Sequence, residues 1–214
     1  MSRYETSMDD ISFTTFLKIG LKPTTQGKFG ALQSMLNGSG GYDFYKRMKL
    51  ASREVARGEM DRETIFNQLQ TIKRPSEREH NLAMAKLTCE WWDGLSGAVA
   101  LNERPGGTYR RPGMVFGIRL APELAYRLNG CTYVTYLWAI RMPKLTRQAA
   151  GAGLHLLREQ LATGKFKDAR FQIRNLREGK TLGEECITNQ STNLLQADIA
   201  AMNAMWLGSL PEAA

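Results

Sequence analysis

Apolar positions change period near the middle of the chain. From Asp43 to Asp93 they recur at three- and four-residue spacing: Phe44, Met48, Ala51 and Val55, then Ile65, Leu69 and Ile72, then Leu82, Ala85, Cys89 and Trp92 with Trp91 beside it. Each set lines one face of a helix. Asp43 and Asp61 stand where N-caps belong, Gly58 follows the first helix, and Pro75 lies beyond the second. Ser76-Glu77-Arg78-Glu79 reads as a capping box, with Ser at the N-cap and Glu three residues on. An earlier short helix is expected, with Asp9 or Asp10 as cap, Phe13, Phe16 and Leu17 as its apolar face, and Gly20 at its end. Between Lys22 and Gly41 the pattern is broken by Pro23, Gly27, Gly30 and the run Gly38-Ser39-Gly40-Gly41. That segment reads as a flexible connector with one helical turn at Ala31–Leu36.

After the glycine- and proline-rich stretch Gly94–Gly113 the period falls to two. Met114–Leu120 reads as a strand, and Pro122 separates it from Ala121–Arg141, two apolar runs joined by Asn129-Gly130. A type I′ turn needs positive φ at both central residues, which this dipeptide accepts. The turn pairs Leu128 with Cys131, Arg127 with Thr132 and Tyr126 with Tyr133. One face then carries Leu124, Tyr126, Leu128, Tyr133 and Leu137; the other carries Ala125, Val134, Tyr136, Trp138 and Ile140. Both faces are apolar, so the hairpin is expected inside a sheet covered on two sides. Thr146 caps a helix carrying Ala150, Leu154, Leu157 and Leu161, in which Gly151 and Gly153 let it lie close to the sheet. Phe166–Leu176 alternates, Glu178-Gly179-Lys180 turns into a weaker strand at Thr181–Ile187, and a helix from about Ser191 to Leu210 presents Leu195, Ile199, Met202 and Trp206. The expected fold is α+β: a helical half (1–94), then a mainly antiparallel sheet of three meandering strands, a crossover helix, one or two further strands and an amphipathic C-terminal helix (95–214). The halves are read either as two domains or as one unit.

Composition narrows the function less than the fold. The chain has 214 residues, 43% of them hydrophobic and 23% charged, which is that of a folded globular protein. The first ten residues carry no secretory pattern and no apolar run approaches a membrane span, so a cytoplasmic protein with no membrane partner is expected. Three widely spaced cysteines, Cys89, Cys131 and Cys186, fit reduced thiols, with Cys89 and Cys131 packed on apolar stripes. His80 and His155 lie on different helices without a metal-pair spacing, and CxxC, HExxH and GxSxG do not occur. Gly179-Lys180-Thr181 lacks the upstream glycine of a phosphate-binding loop. No catalytic residue, metal or cofactor is therefore expected.

Charge is unevenly spread. The total of +8 divides into 14 basic and 12 acidic residues over 1–94, and 15 basic and 9 acidic over 95–214. Eleven of those fifteen are arginine, whose guanidinium suits bidentate contact with phosphate. Arg104, Arg110, Arg111, Arg119, Arg127, Arg141, Arg170, Arg174 and Arg177 are the candidate contacts to nucleic acid or another polyanion, with Tyr109 or Tyr133 for stacking on bases. Scattered surface ion pairs are the plainer account of the same arginines. A non-catalytic binding protein is the first reading. The second is a structural or protein-interaction module, a homo-oligomer joined through the helical half or through Met202, Met205 and Trp206 of the last helix.

The order helix, three strands, helix, strand over about Ser76–Leu176 is similar to the core of the restriction-endonuclease-like nucleases. The resemblance implies an Mg²⁺ site with an acid near the second strand and an acid-x-Lys on the third. Glu123 matches the first position, and Cys131–Arg141 contains neither an acid nor a lysine. A member of such a family built like this would lack a complete metal site, which makes a nuclease-like fold the third reading.

Overall fold

A computed structural model describes residues 10–37 and 43–209; the glycine run at 38–41 and the proposed cap Asp9 lie outside the described residues. Before residue 94 come β1 (Asp10–Ser12), α1 (Phe13–Gly20), α2 (Thr25–Leu36), α3 (Lys46–Ala56), α4 (Arg62–Gln70) and α5 (Pro75–Asp93). Then follow β2 (Val99–Ala100), β3 (Gly107–Tyr109), β4 (Gly117–Leu120), β5 (Leu124–Leu128), β6 (Cys131–Trp138), α6 (Arg147–Leu161), β7 (Arg170–Asn175), β8 (Lys180–Leu182) and α7 (Asn189–Leu207). The described residues form a mixed α and β structure with two mixed sheets.

The larger sheet has the order β2-β5-β6-β7-β8, with β6 and β7 parallel and the other neighbours antiparallel. The Asn129-Gly130 turn is present with φ of 50° and 78°, and it sets the register Leu128↔Cys131, Arg127↔Thr132 and Tyr126↔Tyr133. Ala125, Val134, Tyr136 and Trp138 enter one core with α1, α6 and α7, while Leu124, Tyr126 and Leu137 enter another with α3, α4 and α5. Gln172 Nε2 donates to the Tyr126 hydroxyl (2.7 Å) and to Thr135 Oγ1 (2.8 Å) inside the second core, which satisfies three buried polar groups at once.

The three-strand meander does not form. Met114–Leu120 contributes only β4, which leaves the hairpin and joins a second sheet of order β1-β4-β3, parallel to β1 and antiparallel to β3. Pro122 offers no N–H at the junction, and β2 takes the place beside β5 instead. Further corrections concern helix ends. Ser12, not Asp9 or Asp10, caps α1 by accepting from Thr15 N–H (3.1 Å), and Asp10 lies in β1. The connector expected at Lys22–Gly41 is largely α2, because Thr24 caps it, Leu32 is fully buried and Lys28 pairs with Asp198 of α7 at 2.5 Å. Tertiary contacts there outweigh the poor helix propensity of Gly27 and Gly30. Asp43 accepts from Tyr45 N–H (3.1 Å) in a turn ahead of α3 and does not cap it.

Pro75 occupies the first turn of α5, so Ser76 lies inside the helix and no capping box forms. The buried stripe of α5 keeps Ala85, Cys89 and Trp91 of the expected one and is wider, taking in Asn81, Met84 and Thr88, while Leu82 and Trp92 are half-buried. Asn81 earns its place by accepting from Met48 N–H (3.1 Å) and donating to Phe44 and Glu77 carbonyls (2.8 Å each). Cys131 is half-buried, less enclosed than Cys89. The strand expected at Thr181–Ile187 ends at Leu182 and becomes a 3-10 turn at Glu184–Cys186. Met202 and Trp206 are buried in the first core, Trp206 stacked on Phe116 at 5.2 Å, so neither is available to a second copy. No helix among the described residues is long and apolar enough to cross a membrane.

Gly151 and Gly153 do bring α6 close to its neighbours, which are not the sheet. A Cβ at Gly151 would run into the Cys186 carbonyl and stand 2.9 Å from Ser191 Cβ; one at Gly153 would stand 2.7 Å from the Phe13 ring. Gly30, exposed in α2, has nothing within 4 Å of the same position. The two sites should respond oppositely to one substitution. Urea denaturation is expected to show Gly151→Ala destabilising by about 1–3 kcal/mol through overpacking and Gly30→Ala stabilising by about 0.5–1 kcal/mol through helix propensity.

Candidate functional site

Three elements with different reasons to form meet at the Glu123 end of the larger sheet. The face of α3 opposite its core side carries Lys46, Lys49 and Arg53 at i, i+3 and i+7, a row about 10 Å long at 1.5 Å per residue. The end of β6 presents Tyr136 and Trp138, alternate residues on one side of a strand. The paired β1 and β4 bring Ser12 opposite Arg119. Between them lies a cavity of about 660 Å³, also reached by Lys18 of α1 and by Arg104 from the loop between β2 and β3.

Glu123 is 4% exposed and immobilised. Its Oε2 accepts the Leu137 N–H at 2.8 Å, and its Oε1 stands 3.0 Å from Lys49 Nζ. Asp43 Oδ2 reaches the same ammonium at 3.7 Å, and the ammonium lies 5.2 Å from the centre of the Tyr136 ring. Burial works against the charge on Lys49; the Glu123 carboxylate, then Tyr136 and Asp43, outweigh it and hold the ammonium well above the usual lysine range. Burial likewise pushes the Tyr136 phenol up, with Lys49 pulling the other way, and its hydroxyl shares a 2.5 Å hydrogen bond with Thr14 Oγ1.

The other acid of the cavity, Asp10, accepts from Arg110 Nη2 at 2.8 Å. All three carboxylates lining the cavity thus face a cation. Among the described residues, none of Lys18, Lys46, Arg53, Arg104 and Arg119 makes an ion pair. Arg53 Nε donates to the Lys49 carbonyl (3.4 Å) and Arg104 Nη1 to the Pro122 carbonyl (2.9 Å), neither of them a charged partner. Burial and then the neighbouring Arg104 guanidinium lower the affinity of Arg53 for its proton. Two like charges held together at a partly enclosed wall favour an anion between them.

The donor set does not suit a divalent cation. Mg²⁺ requires oxygen ligands, and the two carboxylates that converge, Asp43 and Glu123, already share an ammonium. Among the described residues no three His, Cys, Asp or Glu side chains gather in a group that could hold a metal.

The nine arginines singled out in the sequence divide among several surfaces. Arg104 and Arg119 line the cavity. Arg177 lies just behind it, donating to the Ala139 carbonyl (2.9 Å) and the Tyr45 hydroxyl (3.2 Å), and Arg141 is exposed beyond the end of β6. Arg110 is on Asp10, and Arg111 grips Glu159 with two bonds of 2.8 and 2.9 Å while also reaching Gln196 (3.1 Å). Arg127 and Arg170 are at the opposite end of the sheet, with Arg170 6.0 Å over Tyr133. Arg174 is committed to the β7–β8 turn through Gly179 O (2.8 Å) and Thr181 Oγ1 (3.2 Å), and burial pushes its guanidinium down. Tyr109 is buried under Arg111, and Tyr133 is stacked on Tyr126, so the two candidate stacking rings are already covered. Lys18, Lys46, Lys49 and Arg53 escaped the sequence reading, although the i, i+3, i+7 row on α3 was its available signal.

No family model and no curated protein matches this chain.

Removing Lys49 should leave Glu123 buried without a counter-charge. Lys49→Met is expected to cost about 3–5 kcal/mol in chemical denaturation, as for other broken buried pairs, and Lys49→Met/Glu123→Gln to recover most of that loss. A single-variant cost no larger than that of the double variant would show that the pair is not coupled.

Proposed function

We propose that this chain is a non-catalytic binding protein whose cavity takes the phosphates of a nucleic acid. The observation that carries the reading is the charge balance of the cavity: six cationic side chains line it against three carboxylates, of which two share Lys49 and the third is held by Arg110 from outside the lining. Phosphate contacts of this kind supply affinity without sequence readout and release counterions on binding. The refinement over the sequence reading is the location. The contact surface combines α1 and α3 with Arg104 and Arg119, so the basic balance of residues 95–214 is only part of it.

The likeness in element order to restriction-endonuclease-like nucleases bears on the same cavity. In those enzymes an acid-x-Lys on the third strand completes the metal site opposite the acid of the second. The alternate residues facing the cavity beside Glu123 are Tyr136 and Trp138, and a lysine arrives from α3 instead. That chemistry favours binding over cleavage.

Fluorescence anisotropy of a labelled 20-nucleotide DNA or RNA, titrated at several salt concentrations, tests the proposal. The expected log–log slope is about −2 to −4, from roughly 0.7–0.9 per phosphate contact. Arg53→Gln/Arg119→Gln should weaken binding by about tenfold or more and flatten the slope by about 1–2, while Arg127→Gln/Arg170→Gln at the far end of the sheet should change neither. A salt-independent signal, or equal losses from both pairs of substitutions, would remove the cavity as the phosphate site.

A further inference from the structure

The cations of this cavity face inward across a concave space and do not form a stripe on an outer face. Lys46 and Arg53 approach from α3, Lys18 from α1, Arg119 from β4 and Arg104 from a loop. A duplex carries its phosphates on the outside of a wide rod and hides its bases in the stack. A volume of about 660 Å³ falls in the roughly 300–1,000 Å³ range of pockets that enclose a small ligand. Such a space suits a single nucleotide unit, not a double helix.

The rest of the lining is of the kind a base requires. Met35, Leu36, Phe44, Leu50 and Ile140 form an apolar wall, and each keeps part of its surface exposed, Leu50 as much as 40%. An unpaired base has an apolar face to lay against such a wall, whereas a paired base has spent that face on stacking. We infer that the cavity admits an unpaired nucleotide, with its phosphate beside Arg53 and Arg104 and its base on the Leu50 wall. The inference rests on the phosphate-binding reading above and adds to it the strandedness of the ligand. The same chemistry is found in a free nucleotide and in the exposed unit of a single strand.

The test uses the full chain and three probes in one anisotropy assay: a labelled 12-nucleotide oligo-dT, a blunt duplex of equal length, and unlabelled dTMP as competitor. The single strand is expected to bind about tenfold tighter than the duplex, the scale that burying about 60 Å² of apolar surface supplies. Leu50→Glu, at a side chain exposed enough to leave folding intact, should abolish that preference, with an unchanged thermal unfolding midpoint as the check on folding. Competition by dTMP at concentrations near the strand's own Kd identifies the free nucleotide as the source; failure to compete identifies the strand. Equal or tighter binding of the duplex without dTMP competition, or an unchanged preference in Leu50→Glu, overturns the inference and leaves phosphate binding standing. Absence of salt-dependent binding to both strand and duplex removes the underlying reading as well.

Discussion

One carboxylate joins the start of β5, the end of β6 and the face of α3. The antiparallel ladder between β5 and β6 closes with Glu123 N–H on the Thr135 carbonyl at 3.1 Å; beyond it stands Pro122, and β4 departs for the other sheet. The Leu137 N–H would then be buried with no strand beside it. The Glu123 side chain substitutes for that missing strand as acceptor, because an unpaired buried amide costs about as much as a lost hydrogen bond. A buried carboxylate in turn requires a counter-charge, and Lys49 supplies it from a helix held in place by Met48 and Ala51 in the second core. The cavity wall follows from this pair. Once Lys49 is fixed, Lys46 and Arg53 on the same helical face border the same space.

The hairpin was legible because its signals are local and agree with one another. Asn129-Gly130 accepts the positive φ the turn demands, and a two-residue turn between two apolar runs fixes their register. The helices α4 and α6 were legible for the same reason, with caps at Asp61 and Thr146 beside unambiguous apolar stripes; α7 was legible from its stripe alone, and its Thr188 cap, which starts it two residues before Ser191, was not. Where local and distant terms conflict, the local reading lost. Two glycines argue against α2, and the burial of Leu32 together with the Lys28–Asp198 pair overrules them from more than 160 residues away in the chain. The departure of β4 is likewise decided by a partner, β1, that precedes it by about a hundred residues. No periodicity within Met114–Leu120 encodes that choice.

The site was harder to see than the fold. Arginine counting drew the eye to residues after 94, yet four of the six cations around the cavity come before that point. On α3 the row Lys46, Lys49, Arg53 looks like an ordinary solvated face, since a charged face opposite an apolar one is what any surface helix shows. Only the strand it approaches distinguishes it. A more direct signal was Glu123 itself, a single acid set between Pro122 and Leu124 at the head of an apolar run. A charge in such a place is seldom fully buried unless paired, and the search for its partner leads to Lys49. The arginines that did appear in the sequence reading are mostly committed elsewhere, Arg111 to Glu159 and Arg174 to the β7–β8 turn, which is the usual fate of long cationic side chains on a mixed surface.

The electrostatic state of the cavity bears on the anion site proposed above. Asp43 and Glu123 share Lys49 and Asp10 is held by Arg110, so an entering cation would compete with a charge already in place. An anion displaces nothing. On the proposed reading it would enter beside Arg53 and Arg104, where burial and then the Arg104 charge lower the proton affinity of Arg53. On that reading a ligand that binds only the folded chain stabilises it by linkage. The Lys49–Glu123 pair and the two arginines are therefore complementary features of one wall. The first fixes α3 against the sheet, and the second lines the same cavity with cations that make no ion pair among the described residues.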